Sequence, residues 1–102
     1  MNIWYFKING EGTPNEEITF PYGFYVNCIV YTSKYLDQSK SMIFEDLKSD
    51  GLIKPECEYL GAFKDFVWDE RSFQKRMNNL SKEAQKSPEV IHYDEFHVYE
   101  LD

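Results

Sequence analysis

The sequence predicts an α+β fold, with a mainly antiparallel sheet of four to five strands and two helices packed on one face. Three features predict it. At 102 residues the chain is near the commonest domain size, so residues 1–102 read as a single domain with one core. Aromatic residues are 18% of the chain, and each buries a large area, so few positions suffice to build that core. Apolar residues recur with period two in some segments and at helical spacing in two others. The resulting order is strand, strand, helix, strand, helix, strand.

Each element follows from its own pattern. Trp4, Phe6 and Ile8 share one face of an extended segment from Ile3 to Ile8. The run from Asn9 to Asn15, dense in Gly, Asn and Pro, predicts that the chain reverses or wanders there. A second extended stretch begins at Glu17, with Ile18, Phe20 and Tyr22 in phase until Pro21 and Gly23 interrupt the ladder. From Phe24 to Tyr31 both faces are largely apolar, which predicts a central strand whose second face is also partly covered. Leu36, Ile43 and Leu47, widened by Phe44, set a helix over Tyr35 to Ser49 that Asp50-Gly51 stops; its first turn is poorly marked. Pro55 separates it from Cys57–Trp68, an aromatic-rich extended region that fits one bulged strand or a short hairpin around Gly61. Asp69 is the expected cap of the second helix. Phe73, Met77, Leu80 and Ala84 form its apolar stripe, and Ser87-Pro88 ends it. In Val90–Leu101, Ile91 and Tyr93 lie on one phase, Phe96 and Val98 on the other, and a bulge near Asp94-Glu95 reconciles them.

Charge narrows the function. The formal net charge is −7, which argues against a nucleic-acid-binding surface and against an anionic membrane, and favours plain solubility or a basic partner. No apolar stretch reaches membrane-spanning length, and the N-terminus does not read as a secretion signal, so the protein is expected in the cytoplasm. Cys28 and Cys57 lack C-x-x-C spacing and read as free, largely buried thiols.

Motifs for catalysis are missing. His92 and His97 would point to opposite faces of a regular strand and share a metal only if the bulge intervened; neither has zinc-ligand spacing, so no metal or cofactor is expected. Cys28 is flanked by core-like Val26 and Val30 and reads as inert. Gly10-Glu11-Gly12 lacks the third glycine of a dinucleotide loop. The acidic pairs are more simply solvated faces or helix starts than acid–base machinery. The chain is therefore expected not to be an enzyme. An enzyme reading needs a deep pocket where a histidine meets a carboxylate or Cys28.

What stands out is acid beside aromatic. Glu56, Glu58 and Tyr59, then Asp65, then Trp68, Asp69 and Glu70, then Tyr93, Asp94 and Glu95 are the candidate partner-binding residues. Aromatic anchors among steering charges are the composition of binding hot spots. Strand alternation, with rings inward and acids outward, is the plainer explanation of the same pattern.

Ile3-Trp4-Tyr5-Phe6-Lys7 through Phe24-Tyr25-Val26-Asn27-Cys28-Ile29-Val30-Tyr31, in a small acidic aromatic-rich chain, resembles the immunity proteins of bacterial polymorphic toxins, including those of contact-dependent growth inhibition. That class has no diagnostic motif, so the resemblance assigns no residue a role. It implies a stoichiometric inhibitor of a cognate toxin domain, commonly a nuclease, whose basic groove an acidic protein occupies. The alternative is a self-associating or adaptor domain, possible as a homodimer, motivated by the doubly apolar Phe24–Tyr31 strand.

Overall fold

A computed structural model describes residues 1–101 and contains one antiparallel sheet with a helix on each face. The strands are β1 (Asn2–Gly12), β2 (Tyr22–Thr32), β3 (Leu52–Ala62), β4 (Ile91–Tyr93) and β5 (His97–Glu100). Across the sheet the order is β3-β1-β2-β4, and β5 also pairs with β2. The helices are α1 (Leu36–Ser49), between β2 and β3, and α2 (Arg71–Lys86), between β3 and β4; a short 3-10 turn, Phe63–Asp65, follows β3. The predicted α+β class and antiparallel sheet are observed.

The placement of the helices on one face is not. Trp4, Phe6 and Ile8 lie opposite Val30, Cys28 and Val26, and this face packs on Ile43 and Leu47 of α1. Tyr5 and Ile29, opposite each other on the other face, pack on Met77 and Ala84 of α2. The physical reason is β2 itself: both its faces are apolar, so each has to be removed from water. Its residues Phe24, Val26, Cys28, Ile29 and Val30 are all fully buried.

Local chemistry explains the remaining differences. β1 runs on through the expected turn to Gly12. The stretch from Glu17 to Pro21 is no strand: Asn15 Oδ1 accepts from the Glu17 and Ile18 N–H groups, both at 2.8 Å, a turn that competes with the ladder. Gly23 lies inside β2, under the ring of Tyr99 opposite it. Pro55 also lies inside a strand, which is tolerated because β3 is an edge and its pairing slips there. Glu56 pairs with Asn9 and Ile53 with Glu11, so Lys54 and Pro55 oppose the single residue Gly10, and Lys54 takes a φ of 49°. One bulged strand, not a hairpin, accounts for the region up to Ala62; Phe63–Trp68 lie outside the sheet.

Helix ends follow the sequence closely. Gly51 stops α1 with φ 85°, and its N–H donates to the Lys48 carbonyl at 3.0 Å. The faint start of α1 has its reason: Tyr35 holds the cap position, and only the Gln38 side chain reaches back to its N–H, at 3.0 Å. Glu70, not Asp69, occupies the cap position of α2, and its side chain makes no capping bond. The expected bulge at Asp94-Glu95 is present. Tyr93 pairs with Cys28 and His97 with Tyr25, so two residues of β2 face three of the last segment.

Candidate functional site: a half-covered sheet face

Helix α2 covers only part of its face. It lies over Ile29 and Tyr5, where that face is apolar. One register step further, Lys7 stands opposite Asn27 on one side and Tyr59 on the other, and Tyr25 stands opposite His97. These side chains, with Tyr5, floor an open cleft of about 580 Å³. Its wall is Phe66, Val67 and Trp68 from the loop after β3, then Glu70, Phe73 and Arg76 at the start of α2. A cleft of this size and mostly aromatic lining is typical of sites that receive a small group or a partner's side chain.

The floor is stacked and charged. The Tyr25 and His97 rings stack at 4.4 Å with 10° between planes. Lys7 Nζ sits 5.4 Å from the Tyr25 ring centre and 5.8 Å from that of Tyr59, and pairs with Glu58 at 3.4 Å. Beneath the wall, Tyr5 donates its hydroxyl to Asn27 Oδ1, and burial, partly offset by the Trp68 side chain, pushes its pKa up to about 12. Arg76, on the cleft wall, donates a hydrogen bond from Nη2 to Asp94 Oδ2, and that bond raises the guanidinium's pKa further.

The sequence-predicted residues separate into groups. Tyr59, Trp68 and Glu70 line the cleft together. Glu58 borders it through Lys7, while Asp65 and Asp69 are exposed beside the wall residues. Glu56 is exposed on the same edge strand, and Glu95 is exposed on the bulge. Asp94 is held by Arg76. Tyr93 lies elsewhere: it packs with the α1 cluster and donates to Asp46 Oδ2 at 2.6 Å. Trp68 is half-buried among Tyr5, Phe63, Phe66 and Phe73, so it is a wall of the core as much as a contact. The most exposed apolar groups at the cleft are Val67 (87%) and Tyr59 (54%).

Lys7, Tyr25, Arg76 and His97 also line the cleft, although the pattern of acid beside aromatic does not mark them. A signal for the first two was there. On one parity of the first strand the residues run Ile3, Tyr5, Lys7, Asn9, and on β2 they run Tyr31, Ile29, Asn27, Tyr25. The switch from apolar to polar marks where the covering helix stops.

The bulge brings His92 and His97 to the same face, since their partners on β2 are Ile29 and Tyr25. Those partners are four residues apart, roughly 13 Å along the strand, so the histidines stay separate. Among the described residues no group of three or more metal-ligating side chains occurs. Both cysteines are free; Cys28 is fully buried on the α1 face, away from the cleft, and burial raises its pKa strongly. Cys57 is half-buried, and burial raises its pKa as well. Among the described residues no helix is long and apolar enough to cross a membrane.

Fold and cleft define a class: an α+β protein whose antiparallel sheet carries a helix on each face and an aromatic cleft beside one of them. Comparison with protein-family models, curated proteins and solved structures gives no match for the chain.

Proposed function

We propose that this chain is a protein-binding inhibitor of the immunity type, acting in the cytoplasm and without catalysis on a cognate, basic toxin domain. The observation that carries the proposal is the cleft. Exposed Tyr59 and Val67 beside half-buried Trp68 offer rigid apolar anchor points, and Glu58, Glu70, Asp65 and Asp69 lie on or next to its borders. A basic partner is steered by those carboxylates and gains its binding energy at the rings.

The test is co-expression with the C-terminal domain encoded by the reading frame immediately upstream. The proposal expects growth protection and a stoichiometric complex, both weakened by Tyr59→Ala with Val67→Asp. Reversing the charge at Glu56 and Glu58 should slow association and flatten its salt dependence. Growth arrest despite soluble, folded protein, with no complex recovered, would sink the proposal.

A further inference from the structure

The charge of −7 is unevenly spread. Helix α2 carries five Lys or Arg residues against one Glu, a formal +4, which leaves −11 for the rest of the chain. Arg76 pairs with Asp94 and Lys86 with Glu83. Arg71, Lys75 and Lys82 are exposed and pair with no carboxylate among the described residues. At about 100° per residue these three fall within about 40° of one another around the helix, and at 1.5 Å per residue they span roughly 16 Å. Gln74, Asn78 and Asn79, all exposed, lie along the same stripe. Glu70 and Glu83 border it, at roughly 100° and 120° from Arg71 and about 40° beyond Gln74 and Asn79.

We propose that this stripe docks the phosphate backbone of a nucleic-acid duplex through Arg71, Lys75 and Lys82. The choice of partner rests on what the stripe contains and lacks. Protein docking is carried by apolar and aromatic anchors, and the stripe has none; the cleft holds them instead. Single strands are held by stacking on aromatic rings, which the stripe also lacks. Arg, Lys, Asn and Gln are the side chains that donate to phosphate oxygens and to base edges. The surrounding −11 opposes this at long range, so binding is weak and confined to low salt. The proposal stands independently of the inhibitor reading, since it uses a different face of α2.

Fluorescence anisotropy with a labelled duplex of about 20 base pairs and the full chain tests it. Three neutralised phosphates give a log–log salt slope of about −3. Arg71→Glu with Lys75→Glu and Lys82→Glu should weaken binding at least ~10-fold, while Tyr59→Ala leaves it unchanged. If the triple variant loses its helical signal, Lys75→Gln and Lys82→Gln serve instead, each reducing the slope by about one. No binding at about 20 mM salt, where screening is weak, or binding equal in the charge-reversed protein, overturns the proposal. So does tighter binding of a polyglutamate chain at the same salt, which would assign the stripe to an acidic protein.

Discussion

Glu89 sits at φ 67°, in the left-handed region, and its carboxylate accepts from the Lys34 ammonium (2.8 Å), the Thr32 hydroxyl (2.5 Å) and the Ser33 N–H (3.1 Å). These bonds, Lys34 foremost, hold its pKa at about 2, below the ordinary 4.5. A carboxyl whose folded value is lowered stabilises the fold above its unfolded pKa and loses that contribution as pH falls toward the folded one. The urea midpoint of the parent should therefore fall between about pH 4.5 and 2, and Glu89→Gln should flatten that limb. Parallel pH curves for the two proteins would mean that other carboxylates set the acid limb. Gly10 gives a second residue-scale expectation. A Cβ there would stand 2.8 Å from the Phe24 ring and 2.9 Å from the Ile53 carbonyl, and the fully buried Phe24 has nowhere to go. Gly10→Ala should destabilise by about 1–3 kcal/mol, as overpacking does. Gly23→Ala meets only the half-exposed ring of Tyr99 and should cost less. Neither role was legible in the sequence. Each depends on a partner brought in by strand register or by a loop some fifty residues away, and local pattern carries no such information.

Elements were more legible, because they follow from periodicity. The double apolar face of Phe24–Tyr31, the stripes of both helices and the bulge at Asp94-Glu95 all appear as read. What periodicity could not supply is which helix takes which face. Two apolar faces demand two covers, but the assignment depends on how each connection crosses the sheet, and that is a property of the whole chain path. The site follows the same division: Tyr59, Trp68 and Glu70 stood out as acid beside aromatic, whereas His97 joins them only through its register with Tyr25. A measurable consequence follows from the opposed helices. Leu47 and Met77 are each fully buried, one in each cluster, with the sheet between them. Leu47→Ala and Met77→Ala should each lose about 2–5 kcal/mol. The double variant should lose the sum to within about 0.5 kcal/mol, as separated sites do. Strong coupling in denaturant titrations would place the two side chains in one core and contradict the arrangement.

On the scale of the molecule, the covering helix changes what the central strand implies about association. A doubly apolar β2 invited a second copy or an adaptor partner to cover its outer face. With α2 already packed there, the apolar surface left open near it is the cleft, where Val67 and Tyr59 are the exposed anchors. A homodimer formed through that cleft would bring two like-charged molecules of −7 together, a repulsion that grows as salt is lowered. The two edges of the sheet add little: β3 is slipped at two places and carries Pro55, and β4 and β5 are short and broken by the bulge. The chain should therefore sediment as a single species of about 12.2 kDa at micromolar concentration, unchanged between low and moderate salt. A dimer that persists would move the cleft from partner binding to self-association if Tyr59→Ala dissolves it. If Tyr59→Ala leaves that dimer intact, an edge strand is the contact, and the cleft keeps its proposed role.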